Sequence, residues 1–426
     1  MGRNSTRVDE RRYFGLDALR GAMMMLGIVL HAAWLYLAAP PPTMPIPTDR
    51  NNSLVFDVIF AFIHSFRMPT FFVLAGFFTS LLVEKRGLAG AYKDRARRVL
   101  APLAAGIVTI LPLTGLLLID FWLSARFGTH DLIPDLKDLA ALGREMVAKA
   151  PPGGPPPDAP SLGHLWFLYY LCYFYLLIPV CRFLVRQSLR IEDRLKRWLA
   201  SPFLLPVFAL FTSASLWPYH GGQVHEGFIF LKPHVPSLVY YGSFFVFGYL
   251  FHAHRDFLQS LARNVSMWAV LAAILFPLAM YASQLDNDAR GGSTALHLGA
   301  VLANGLCTWA LIYFFLGLAQ RFFDRESPWI QYVSQSSYWV YLVHMPLVCL
   351  AGWWLVQFDL PAGIKFLLVC TFTAALAFLS FHYWVQRTWL GVFLHGRRLA
   401  LDWPWRGPAL AHRACPTYRP RRYSAI

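Results

Sequence analysis

Charge is scarce in this chain. Asp, Glu, Lys and Arg make up only 14% of its 426 residues, against 57% hydrophobic residues, whereas a soluble domain carries roughly a quarter charged residues. Acidic groups are scarcer still, 23 against 38 basic ones, for a net charge of +15. In a soluble chain that imbalance would point to nucleic acid, but an apolar chain first requires its basic residues to be sorted by side of a membrane. Cysteine is also rare. Of the six, Cys172, Cys181, Cys307, Cys349 and Cys370 fall inside apolar stretches and Cys415 in the C-terminal tail, so no external pair is expected to form a disulfide. Their spacing matches no zinc or haem pattern, which leaves them as small apolar fillers. His220, His225, Glu226, Lys232 and His234 gather by count alone, without an H-E-x-x-H or comparable spacing. No metal site is expected, and no internal repeat is visible.

Long apolar runs are what the chain has in abundance. They recur near 15–38, 54–83, 99–123, 164–184, 202–217, 237–254, 265–284, 296–319, 337–357 and 362–386. At about 1.5 Å of rise per residue, runs of about 20 residues cover a bilayer core. The expectation is an all-α integral membrane protein of about ten transmembrane helices. Across these spans, 28 Lys and Arg fall on the side of both termini and 8 on the other. Both termini are therefore expected in the cytoplasm, and nucleic acid is no longer needed to explain the charge. The first span is too long for a secretory h-region and carries Arg20, so it reads as an uncleaved anchor.

That first span, Gly15 to Ala38, also carries Asp17 and His31. Arg20 and His31 are eleven residues apart, which at about 100° per residue returns to nearly the same azimuth three turns on. Met24 and Gly27 lie on or near that face, and the glycine offers a place where a neighbour can approach closely. Ionisable groups within a bilayer cost about 2.5 kcal/mol or more each and point to function, although Asp17 could neutralise Arg20 locally and His31 could bond a carbonyl. In the second span, His64 and Arg67 precede Pro69. The proline removes a backbone hydrogen bond, so a kink or break is expected at the depth where Arg67 needs partners.

Further along, Arg95, Arg97 and Arg98 crowd the start of the third span. Topology alone accounts for them, and so does binding of a phosphate-rich cytoplasmic ligand through bidentate guanidinium contacts. Residues 40–47 and 151–160 are proline-rich and read as extended loop, and residues 134–150 as an amphipathic segment on the membrane surface. His164 and Trp166 sit at the outer interface, as anchors of an aromatic belt or as a surface for stacking a sugar. Tyr338, Tyr341 and His344 follow at three-residue steps before Pro346. The tail, residues 395–426, is rich in arginine and proline and is expected to be disordered and drawn to anionic lipid heads.

Arg20 and His31 with ten residues between them, Phe66-Arg-Met-Pro69, Arg95-x-x-Arg98 before Pro102, and Ser337-Tyr-Trp-Val-Tyr-Leu-Val-His-Met-Pro346 together resemble the membrane acyltransferase family three. His64-Ser-Phe-Arg-Met68, His164-Leu-Trp-Phe-Leu168 and Tyr341-Leu-Val-His344 are similar to the branch that succinylates periplasmic glucans. The resemblance covers residues 13 to about 390. It implies an acyltransferase transmembrane domain over 1–394 in a bacterial inner membrane, a cytoplasmic acyl-CoA donor, an extracytoplasmic glycan acceptor, and no permanently bound cofactor. His31 is implied as the essential histidine with Arg20 as its partner, and Arg95 and Arg98 as CoA contacts. We add Arg67 to the donor side, and His64, Trp166, Tyr338 and His344 to the substrate side. The proline-rich first and third loops have no counterpart we can match in the glucan branch.

The chemistry suits these residues. A hydroxyl becomes a competent nucleophile toward a thioester as a base removes its proton, and imidazole has the resting pKa for that task. A covalent acyl-histidine is an equal alternative. A transporter or flippase that binds an anionic solute through His31, Arg20 and Arg67 is the rival class. Many such folds show paired broken helices in related halves, whereas the polar groups here concentrate in the first two spans.

Overall fold

The computed structural model describes residues 13–40, 48–129, 135–149, 161–190, 205–224, 233–254, 256–289, 292–395 and residue 404. Among them every regular element is helical: α1 (Phe14–Trp34), α2 (Leu54–Arg95), α3 (Ala101–Val108), α4 (Ile110–Phe127), α5 (Leu136–Lys149), α6 (Trp166–Leu176), α7 (Ile178–Arg190) and α8 (Leu205–Leu216), followed by α9 (Val235–Ala253), α10 (Phe257–Arg263), α11 (Val265–Asp288), α12 (Thr294–Phe322), α13 (Pro328–Leu355), α14 (Ala362–Ser380) and α15 (Trp389–His395). Wide π-turns join α2 to α3 (Ala96–Leu100) and extend α14 (Phe381–Val385), and a 3₁₀ turn, Gly163–Leu165, leads into α6. The proline-rich segments 41–47 and 151–160, residues 225, 226 and 232, and most of the tail lie outside the described residues.

Among the described residues seven helices are long and apolar enough to cross a membrane, eight if α6 and α7, bent by 56° at their junction, form one span. These do not reach the expected count of about ten. The stretch at 202–217 yields α8, only 12 residues long, which at about 1.5 Å per residue falls short of a bilayer core. The stretch at 237–254 yields α9, which buries Tyr240, Tyr241, Phe244, Phe245 and Tyr249 inside the bundle. α5 matches the amphipathic segment expected over 134–150, of which residues 134 and 150 lie outside the described residues, and is tied to α4 by Arg126 and Glu145 at 3.1 Å.

The expected break at Pro69 does not occur. α2 stays helical through Pro69, and its non-helical residue is Gly87, at φ 67° and ψ 178°, a conformation that disfavours any side chain. Pro69 has no N–H for the Ser65 carbonyl, and the Thr308 hydroxyl of α12 donates to that carbonyl instead, at 2.9 Å. The vacated acceptor is filled by a neighbour, so the carbonyl is satisfied without a break in the helix. Gly76 of α2 faces the Phe245 carbonyl and Gly248 of α9 the Val73 carbonyl, so close that a methyl group at either glycine would collide with backbone. Small residues bring membrane helices together in this way.

Segment 48–53 is held to α14 by an ion pair. Lys365 Nζ lies 2.7 Å from Asp49 Oδ2, with side chains 0% and 1% exposed, and Asn51 Nδ2 donates to Asp359 and to the Leu360 carbonyl. Breaking one side of such a pair leaves a buried, uncompensated charge and costs about 3–5 kcal/mol. Lys365→Met is thus expected to lower the unfolding temperature of the detergent-purified protein markedly, and adding Asp49→Leu should recover most of the loss. Equal stability of the single variant and the wild type would show the pair to be idle.

Candidate active site

α1 and α13 run side by side in the same direction, and each polar group of α1 meets a partner on α13. At one end Arg20 Nη2 donates to Ser334 Oγ at 2.7 Å and pairs with Asp17 at 3.1 Å. Three turns on, the His31 ring lies 5.1 Å from that of His344, centroid to centroid. The shared face read from the eleven-residue spacing is therefore real, and α13 is what it faces.

His344 in turn lies 5.3 Å from His164, so three imidazoles converge. His344 Nδ1–H donates to the Tyr341 carbonyl at 2.7 Å. His164 Nε2–H donates to the Leu342 carbonyl at 3.1 Å. That carbonyl stands four residues before Pro346, which has no N–H to offer it. The same proline that interrupts the hydrogen-bond ladder of α13 thereby supplies the acceptor that seats His164. The Tyr341 hydroxyl donates to the backbone carbonyl of His164 at 2.7 Å and fixes it from the other side. Because carbonyls only accept, the opposite nitrogens of the neutral rings, His344 Nε2 and His164 Nδ1, are acceptors; both are buried and, among the described residues, without a partner, as is His31 Nδ1.

Arg67 reaches the same region from α2. Its guanidinium lies over the bare Cα of Gly27, its Nε donates to the Met23 carbonyl at 3.0 Å, and the side chain is buried. It also stands over the ring of Phe71, 5.7 Å from the centroid.

Phe71 belongs to the wall of a cavity of about 970 Å³. Arg20, Lys85, Arg86, Arg95 and Arg98 line the cavity with Asp17 as a carboxylate among them, and Met24, Phe167, Leu168 and Tyr338 add apolar and aromatic wall. Phe167 packs 5.9 Å from Tyr341, so one layer of side chains separates this wall from the imidazoles and from Arg67. The arginines are held. Asp94 binds Arg86 at 3.0 Å and Arg98 at 3.2 Å through one carboxylate oxygen. Arg95 donates to Thr79 at 3.3 Å and stands over the Tyr175 ring. Arg98 sits on a π-turn, a distortion common at functional sites, and its carbonyl accepts the Tyr338 hydroxyl at 2.7 Å.

A family model described as an acyltransferase domain matches residues 13–382. The chain belongs to the acyltransferase 3 family. Among curated relatives it is similar to Glucans biosynthesis protein C of Escherichia coli O139:H28, 24% identical over 390 residues that cover 87% of this chain and 91% of the relative. The protein of the same name from Escherichia coli K12 is 24% identical over 387 residues with the same coverage. No solved structure matches.

Within this family member the candidate residues separate into two groups. Arg20, Arg95, Arg98 and Tyr338 line the cavity; His31 and His344 form the imidazole cluster with Arg67 beside them. Arg67, expected on the donor side, does not line the cavity. His64 donates Nε2–H to the Val224 carbonyl at 2.8 Å in a separate small recess with Gln223, Asn304 and Thr308. Trp166 packs against Tyr241 at 5.1 Å and Tyr170 at 5.5 Å, an aromatic layer apart from the imidazoles. His164, read from sequence as an interfacial anchor or sugar-stacking residue, is the third member of the cluster, and Asp94 was not anticipated. Pro346 was the legible signal for the former, since a proline leaves an acceptor that something must fill. Among the described residues no set of three or more His, Cys, Asp or Glu is arranged to hold a metal ion.

Proposed function

We propose that this protein transfers an acyl group, acetyl or succinyl, from acyl-CoA to a hydroxyl of an extracytoplasmic glycan such as a periplasmic glucan. The basic end of the bundle faces the cytoplasm in this reading, with both termini on that side of a bacterial inner membrane. One observation carries it above the rest: a cavity with five basic side chains along its wall reaches to within one layer of a cluster of buried imidazoles. CoA phosphates suit the arginines, whose planar forks bind phosphate oxygens bidentately, and the pantetheine arm suits the aromatic wall. The name of the curated relatives supports a glucan as acceptor.

In the reaction, His31 takes the proton of the acceptor hydroxyl as its oxygen attacks the thioester carbonyl. The carbon–oxygen bond forms, the carbon–sulfur bond breaks, and the proton on His31 passes to the departing sulfur to give CoA thiol. No net proton is gained or lost.

Purified protein in liposomes, given radiolabelled acetyl-CoA or succinyl-CoA and a soluble glucan, should label the glucan with one donor. Labelling with neither, together with unchanged mass spectra of cell-envelope glycans when the protein is deleted, would refute the reading. Arg98→Ala should raise the KM for acyl-CoA about 10- to 100-fold, the worth of a charge-assisted hydrogen bond, with kcat nearly unchanged. Arg98→Lys should fall between, since an ammonium keeps the charge but not the fork. An unaltered KM in Arg98→Ala would leave the arginine as a topology signal only.

A further inference from the structure

The chemistry above uses one imidazole of three. His31 is a partly exposed member of the cluster and makes no hydrogen bond among the described residues, while His344 and His164 are buried and each is anchored by one N–H to a backbone carbonyl. Anchoring fixes more than position. It fixes the tautomer, because a carbonyl can only accept, and so dictates that His344 Nε2 and His164 Nδ1 carry lone pairs. Among the described residues no carboxylate hydrogen-bonds any of the three rings, and the Arg67 guanidinium lies over Gly27, one helical turn from His31.

A histidine base needs help at the moment it is protonated. When one ring nitrogen takes the acceptor's proton, the other also bears hydrogen, and a buried N–H without an acceptor costs about 1–3 kcal/mol. In hydrolases with a Ser-His-Asp triad a carboxylate supplies that acceptor and holds the ring. Beside a buried guanidinium, two neutral acceptors can fill the same place without bringing in another charge.

Resting on the acyl-transfer reading, we propose that His344 and His164 are positioning residues that present two lone pairs to His31 and thereby orient it as base and stabilise its protonated form. The proton taken from the acceptor hydroxyl stays on His31 until it passes to the departing sulfur. His344 and His164 accept hydrogen bonds and exchange no proton with substrate. Pro346 belongs to the same device, since it frees the Leu342 carbonyl that locks the His164 tautomer.

Side chains that keep the anchoring donor but place no acceptor where the opposite ring nitrogen stood separate this role from packing. Asparagine at 344 retains an amide donor near the Nδ1 position, and glutamine at 164 retains one near the Nε2 position. His344→Asn and His164→Gln should each lower kcat about 10- to 100-fold, less than removal of the base itself, with the KM for acyl-CoA and the unfolding temperature nearly unchanged. Unchanged kcat in both folded variants overturns the proposal, as does a loss explained wholly by less folded protein. Carbethoxylation of His31 by diethyl pyrocarbonate, followed by peptide mass spectrometry, reads the same support without any substrate. Its rate should fall several-fold in both variants. If the wild type transfers no acyl group to glucan but this rate falls, the acyl-transfer reading fails and the histidine device stands. If the rate is unmoved, the device fails whatever the activity.

Discussion

His31→Gln is expected to lower acyl transfer about 10²- to 10⁴-fold, the usual worth of a general base, while the purified protein keeps its helical content and unfolding temperature. The structure supports that separation. His31 contributes no hydrogen bond to the fold among the described residues, and its neighbours His344 and His164 are each anchored independently of it. Loss of the ring therefore removes no scaffold contact beyond van der Waals packing. A buried structural histidine would behave in the opposite way, costing folded protein while the surviving fraction kept its specific activity. Near-normal turnover in purified His31→Gln would move the base to His344 and return His31 to helix packing. The KM for acyl-CoA should not change, because His31 does not line the basic cavity.

The face shared by Arg20 and His31 was legible in the sequence because helical periodicity is local, and α13 confirms it by offering Ser334 and His344 about three turns apart in the same sense. Gly27 was legible as a place of close approach, but not that Arg67 would fill it. The prolines show where local reasoning stops. Pro69 and Pro346 announce lost hydrogen bonds, and a kink is the natural expectation. Whether the vacated carbonyl bends the helix or recruits a donor depends on residues such as Thr308 and His164, far off in the chain. Hydropathy is silent on helix length and surroundings for a related reason. α8 and α9 are both apolar, yet α8 has 12 residues and α9 packs its tyrosines inside the bundle. Trp166 likewise carries an aromatic ring wherever it points, and only packing shows that it joins Tyr170 and Tyr241.

Gly27→Val is expected to be strongly damaging. Any Cβ at this position runs into the Arg67 guanidinium, which would have to withdraw from the Met23 carbonyl it binds at 3.0 Å. A buried cation deprived of its partner costs several kcal/mol, enough to consume much of a marginal stability. The variant should accumulate poorly in membranes and unfold early in detergent, with Gly27→Ala intermediate. Adding Arg67→Met to Gly27→Val removes the charge that has lost its seat and should restore much of the folded protein. What the double variant does next separates two roles for Arg67. If its charge matters only to the fold, acyl transfer returns with stability; if the guanidinium also serves the reaction, the rescued fold stays slow. The second outcome is expected, because an ionisable group buried among membrane helices one turn from His31 marks a functional site rather than packing. Recovery of wild-type kcat in the double variant would assign Arg67 to packing alone.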